Sequence, residues 1–159
     1  MILGVSSQDL GPVFIETLKS KGLKRAMVVC GMEGLDEISC AGGTLVWSLD
    51  ESGQITTSTL HPSDFGLDPH PLSTVAGGTP AENSATLVEL LTLGEELKTK
   101  EKLIPIRDFV VMNAAALLVV AGTAKDYKEG AALAHDSITK GGAWKALERF
   151  REAGQQGVA

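Results

Sequence analysis

Residues 26–30, Ala-Met-Val-Val-Cys, form an unbroken apolar run that stops at a glycine, and nothing else in the chain limits its fold as much. A run that short, with no polar alternation, predicts a strand covered on both faces of a sheet. Ahead of it, Ile2 to Val5 is a second short β-prone run. Between the two, Leu10, Val13, Phe14 and Leu18 recur at helical spacing up to Gly22, a natural C-terminal stop. Ser6 or Ser7 is expected to cap that helix, with Pro12 in its early turns. Strand, helix, strand at this spacing predicts a βαβ unit with parallel strands and a right-handed crossover. The loop Gly31 to Glu37 then leaves the carboxyl end of the second strand, where open α/β sheets bind their ligands.

That loop carries two adjacent carboxylates, Asp36 and Glu37, just past Gly31 and Gly34. If both converge, they repel each other by about 4 kcal/mol at contact range and a surface-like dielectric. A bound Mg²⁺, which takes a few carboxylate oxygens plus substrate phosphates, offsets that repulsion. The competing reading is that neighbouring residues point apart and one of them caps a turn. The Gly31-Met32-Glu33-Gly34 segment lacks the Gly-Lys-Ser/Thr ending of a P-loop and does not match Gly-x-Gly-x-x-Gly, and Glu33 would repel a phosphate. It is predicted to be a tight turn that positions Asp36 and Glu37.

Other polar residues give weaker signals. Gly77-Gly78 has amides that an anion could use at a helix N-terminus, but the following capping box is expected to occupy them. His61, His70 and His135 share no ligand spacing, so none is expected to act as a base or metal ligand. Ser39 lacks a Gly-x-Ser-x-Gly elbow. Asn113 sits inside an apolar helix, must find partners when buried, and is expected to tie that helix to neighbouring backbone.

Further along, Thr44 to Leu49 and Gln54 to Leu60 are β-prone and joined by Asp50-Glu51-Ser52-Gly53, which predicts an antiparallel hairpin and hence a mixed sheet. His61 to Pro80 carries four prolines and is expected to be an ordered surface loop anchored by Phe65, Leu67 and Leu72. Thr79-Pro80-Ala81-Glu82 is a capping box with proline at the first helical position, opening a helix that Leu87, Leu90, Leu91 and Gly94 define. Lys98 to Lys102 reads as a solvated loop tip. Ile106 to Ala121 should be the central buried helix, ended by Gly122. Asp126-x-x-Glu129 opens another helix, with Tyr127, Ala131, Ala134 and Ile138 on one face, broken by Gly141-Gly142. A last helix, Ala143 to Glu152, is expected to pack through Trp144, Leu147 and Phe150, and the tail from Gly154 to Ala159 to fray.

The whole chain, 1–159, reads as a single α/β unit large enough to bury a core. A net charge of −6 without a Lys/Arg cluster argues against nucleic acid as a partner. Cys30 and Cys40 are expected to be free thiols, with no secretory leader ahead of them. The apolar run Phe109 to Gly122 is too short to span a bilayer. A cytoplasmic protein without a membrane partner is the expectation.

Four stretches taken together resemble one family. Gly31-Met-Glu-Gly34-Leu-Asp36-Glu37-Ile-Ser, Asp64-Phe65-Gly66-Leu67, Gly77-Gly78-Thr-Pro-Ala-Glu82-Asn83 and Met112-Asn113-Ala-Ala-Ala are similar, in order and spacing, to the C-terminal part of the anthranilate phosphoribosyltransferases of tryptophan biosynthesis. The resemblance covers almost the whole chain. It implies an α/β fold with a mixed, mainly parallel sheet flanked by helices, as in the nucleoside phosphorylase/phosphoribosyltransferase superfamily. It also implies transfer of the phosphoribosyl group of PRPP to the anthranilate amine, with release of pyrophosphate. Asp36 and Glu37 become the acidic pair that holds Mg²⁺ near that pyrophosphate. The implied partners are PRPP, anthranilate and the N-terminal part of the same enzyme, and the full-length enzyme could be a homodimer. The family's Gly-Thr-Gly-Gly-Asp loop, its Lys-His-Gly-Asn segment and its helical domain are not found in these 159 residues, so the chain alone is expected to be inactive. Two alternatives stay open: a pyrimidine nucleoside phosphorylase relative, and a binding or scaffold domain that keeps the fold without the chemistry.

Overall fold

The computed structural model describes residues 1–157. Among them, four strands form one sheet in the order β1-β2-β3-β4: β1 Ile2–Gly4, β2 Ala26–Gly31, β3 Thr44–Leu49 and β4 Ile55–Leu60. Strand β1 pairs with β2 in parallel, Leu3 opposite Val28. Helix α1, Leu10–Ser20, makes the crossover between them. The expected βαβ unit is therefore present, and all six residues of β2 are buried.

The two faces of the sheet bury different residues. Ala26, Val28 and Cys30 lie with Ile15 and Leu18 of α1, together with Trp47 and Leu49 of β3. Met27 and Val29 point the other way, into a larger core with Val46, Leu60 and residues of the later helices. This alternation is the period-2 geometry of a strand with both faces covered.

The sheet is mixed, as expected, but its described strands are not mainly parallel. Both β2–β3 and β3–β4 are antiparallel. For β3–β4 the reason is local: the polar turn after β3 closes a tight hairpin, with the Asp50 carboxylate accepting from the amides of Ser52 and Gln54 at 2.9 and 3.0 Å. Gln54 is used in that closure, so β4 starts one residue later than the sequence suggests.

Helices α2 Pro80–Thr92, α3 Ile104–Ala121, α4 Tyr127–Thr139 and α5 Gly142–Gln156 follow. The capping box of α2 is formed, with Thr79 and Glu82 reciprocally bonded. The Asp126 carboxylate caps α4 by accepting from the amide of Glu129 at 2.8 Å. Neither Ser6 nor Ser7 caps α1 through its side chain; Asp9 is at the cap position, and the Ser7 carbonyl accepts from the amide of Leu10 at 3.1 Å. A tight turn does the work expected of a hydroxyl.

Several expectations about exposure are corrected. The loop 61–79 contains short 3-10 turns at Pro62–Phe65 and Leu72–Thr74, although Phe65 is a buried anchor as expected. The charged run 98–102 is solvated as expected, all five of its residues being exposed, but it is not irregular. It lies in 3-10 turns, Gly94–Thr99 and Glu101–Leu103, between the buried Leu97 and Leu103. Helix α3 buries Val111, Met112, Ala115, Ala116 and Val120, but leaves Leu117 51% exposed, so it covers one side of the core rather than lying at its centre. Helix α5 continues through Gly154, and Phe150 is 77% exposed rather than packed. Of the expected frayed tail, residues 158–159 lie outside the described residues. Cys30 and Cys40 are buried and unbridged, and burial pushes both thiols up, as at structural cysteines.

Candidate functional site

Strand β2 ends in the turn the two glycines predict. The amide of Gly34 donates to the Gly31 carbonyl at 2.8 Å, and the amide of Gly31 to the Leu35 carbonyl at 2.7 Å. Gly34 has φ +83°, a left-handed conformation that other side chains adopt at a cost. The chain thus reverses within four residues and delivers Asp36 and Glu37 beside the end of β1. There the fit is tight: a Cβ on Gly4 would stand 1.7 Å from the Asp36 carbonyl oxygen. Only a glycine at the end of β1 admits the loop at this depth.

Both carboxylates of the pair are exposed. Partial burial, and secondarily the negative charge of Asp36, raise the pKa of Glu37 above its ordinary value. The two carboxylates are hard oxygen donors on consecutive residues, and Glu37 is destabilised as an anion first by its partial burial and then by Asp36. Such a pair fits a divalent cation that keeps several waters. The pair lies outside the larger clefts. A cleft of about 600 Å³ lined by Thr86, Glu89 and residues 99–103 runs beside α2 and α3, and another of about 440 Å³ includes Gly77, Gly78 and Val110. Neither includes Asp36 or Glu37. Among the described residues, no group of three or more His, Cys, Asp or Glu comes together as a ready metal cage.

Beyond the pair, the loop is anchored by buried and half-buried polar groups. The Oδ1 atom of Asn113 accepts from the amide of Ile38 at 2.9 Å, and its Nδ2 donates to the carbonyls of Ile38 and Phe109 at 3.2 and 3.0 Å. This is the tie to neighbouring backbone that the sequence suggests, and its target is the residue next to Glu37. Ser39 is fully buried; its amide donates to Thr44 Oγ1 at 2.9 Å and its hydroxyl donates to the Glu33 carboxylate. Glu33 is thus turned back onto its own loop. The hydroxyl serves as a structural link, in keeping with the absence of a nucleophile elbow.

A third anchor escaped the sequence reading. His70 Nε2 lies 2.8 Å from Oδ2 of Asp108, which is 4% exposed, while Arg107 Nε donates to Oδ1 at 2.8 Å. The backbone amide of His70 donates to the Cys40 carbonyl at 2.8 Å. Helix α3 therefore holds the segment 38–40 twice, directly through Asn113 and indirectly through Asp108 and His70. An aspartate within an apolar helix was the available signal. Gly77-Gly78 offers no free cradle of the kind an anion needs, because the amide of Gly78 donates to Asn83 Oδ1 at 2.8 Å. Among the described residues, no fully buried side-chain polar atom lacks a partner.

Comparison with known proteins adds to this geometry. Residues 1–144 match the profile of a family described as "Glycosyl transferase family, a/b domain". The anthranilate phosphoribosyltransferase of Schizosaccharomyces pombe is 47% identical over 155 residues, covering 98% of this chain and 42% of that protein. The Haloferax volcanii enzyme of the same name is 40% identical, with 96% and 43% covered. Among solved structures, the Saccharomyces cerevisiae anthranilate phosphoribosyltransferase in complex with PRPP and Mg is similar at TM-score 0.80 and 36% identity, covering 94% of this chain and 41% of that one. The same yeast enzyme in complex with 4-fluoroanthranilate matches at TM-score 0.80. The chain spans less than half the length of these relatives.

Proposed function

The chain belongs to the glycosyl transferase family, whose a/b domain it matches over residues 1–144, and on that premise we propose that it is the C-terminal portion of an anthranilate phosphoribosyltransferase. The whole enzyme transfers the phosphoribosyl group of PRPP to the amine of anthranilate and releases pyrophosphate. The observation that carries this reading is the likeness of nearly the entire chain to an enzyme solved with PRPP and Mg. The acidic doublet at the carboxyl end of β2 supports it.

In this reading Asp36 and Glu37 hold Mg²⁺, and the turn Gly31–Gly34 sets where they stand. The ion, when bound, neutralises charge that develops on the departing pyrophosphate. These residues supply no nucleophile. They fix a cation through oxygen ligands, and the attacking amine belongs to the substrate. The chain provides one wall of the site, so an open surface at Asp36 and Glu37 is what a wall without its opposite face would present. The cradles for PRPP and anthranilate belong to the portion of the relatives that the chain does not match. That portion and the two substrates are its proposed partners, and the proposed compartment is the cytoplasm.

The test is a graft. The chain replaces the matching part of the Schizosaccharomyces pombe enzyme, and phosphoribosyl anthranilate formation is followed by loss of anthranilate fluorescence. The graft is expected to be active, the 159-residue chain alone inactive, and the graft carrying Asp36→Asn with Glu37→Gln to lose at least about a hundredfold in rate, the scale on which electrostatic stabilisers act. Product formation by the chain alone, or an unaffected double variant, would refute the reading.

A further inference from the structure

We propose that Asn113 is a positioning residue for the divalent-cation pair: its side-chain amide fixes the backbone on which Glu37 stands, a role that rests on the reading of Asp36 and Glu37 as metal ligands. Asn113 lies in the most apolar helix of the chain, where a leucine would bury more apolar surface and need no partners. Its amide instead makes three hydrogen bonds, two of them to Ile38, the buried residue that follows the exposed Glu37.

Those two bonds act on successive peptide planes. The amide of Ile38 belongs to the peptide unit that contains the Glu37 carbonyl, so accepting from it at 2.9 Å orients that unit. Donation to the Ile38 carbonyl at 3.2 Å orients the next one. A side chain that accepts from one plane and donates to the other at this reach must carry both functions on one short stem. Asparagine does so, whereas leucine, serine and aspartate each lack at least one of the three bonds.

The opposite side of the loop is held by shape. The Asp36 carbonyl occupies the place a Gly4 side chain would take, so β1 stops the loop on one side and α3 holds it on the other. A carboxylate pair that needed only to face water would tolerate a loose loop. Ligands to a cation are sensitive to the groups that orient them, and loss of such outer groups costs about 10- to 100-fold in metal affinity.

The experiment uses the ¹⁵N-labelled 159-residue chain with Mn²⁺ as the probe, in buffer containing pyrophosphate, and reads paramagnetic broadening of the amides of residues 36–39. The wild-type chain is expected to show broadening centred there, and Asp36→Asn with Glu37→Gln to remove it. Asn113→Leu is expected to raise the Mn²⁺ Kd by about tenfold or more, while the amides of β2 and β3 keep their wild-type shifts. Val120→Ala, about two turns along the same helix and costing stability by core truncation, is the control and should bind as wild type does. Asn113→Ser carries the same expectation as Asn113→Leu if leucine is not accepted in the fold. Should neither variant fold, Asn113→Gln, whose longer stem displaces both functions, carries the same expectation. Wild-type Mn²⁺ affinity in the Asn113 variants would overturn the inference and leave the acidic pair standing. Absence of broadening in the wild type, or its persistence in the double carboxylate variant, would overturn the acidic pair and the inference with it.

Discussion

Asp108 illustrates how a buried charge is retained in an apolar helix. Its carboxylate meets Arg107 Nη2 at 2.6 Å on one oxygen and His70 Nε2 at 2.8 Å on the other, so the cost of burial is offset by charge-assisted hydrogen bonds. Removing it leaves two partners without their acceptor. Asp108→Ala is therefore expected to lose about 3–5 kcal/mol, the range for breaking a buried ion pair, measured by urea denaturation. A loss below about 1 kcal/mol, the value of exposed pairs, would show that these groups are solvated. The sequence made part of this scale legible. Asn113 stands out because a polar residue interrupts an apolar run, and Asp36 and Glu37 because two adjacent carboxylates follow the glycines at the end of one. The link between His70 and Asp108 does not, because the partners lie 38 residues apart and the histidine sits between two prolines with no periodicity to read. The glycine at position 4 is equally silent in sequence, since its need for space arises only when the loop after β2 folds back over β1.

Among elements, α2 offers the clearest titration. The Glu82 carboxyl is held below its ordinary value, first by the hydroxyl of Thr79 and then by its backbone amide. A carboxylate whose folded pKa is depressed stabilises the fold above its unfolded value, and that contribution is lost as pH falls through the folded value. The difference in thermal stability between wild type and Glu82→Ala is thus expected to be full near neutral pH and to shrink as pH drops from about 4.5, the ordinary carboxylate range, toward 2. A gap that stays constant over that range would contradict the assigned cap. Elements of this kind were readable because caps, turn glycines and hydrophobic period are local signals. The 3-10 turns at Pro62–Phe65 and Gly94–Thr99 were not, since one or two i to i+3 bonds leave no period in the sequence. The apolar run places helix α3 to within two residues at its start but says nothing of its exposed side. A helix apolar all round carries no mark of which face meets solvent.

For the whole molecule, apolar exposure is the conspicuous property. Leu10, Val13 and Phe14 on α1, Val110 and Leu117 on α3 and Phe150 on α5 are all at least 36% exposed, and β1 forms an open edge of the sheet. Open edges and apolar patches favour association. Light scattering over a concentration series is expected to show a mass that rises with concentration, and a constant monomer mass would contradict this. The central claim is that Asp36 and Glu37 bind a divalent cation facing a diphosphate. Its most direct test is a crystal of this chain grown with Mn²⁺ and pyrophosphate and measured at the manganese absorption edge. The account predicts an anomalous peak within coordination distance, roughly 2.0–2.3 Å, of carboxylate oxygens of both residues. A peak elsewhere on the molecule, with these two side chains bound to nothing but water, would contradict it.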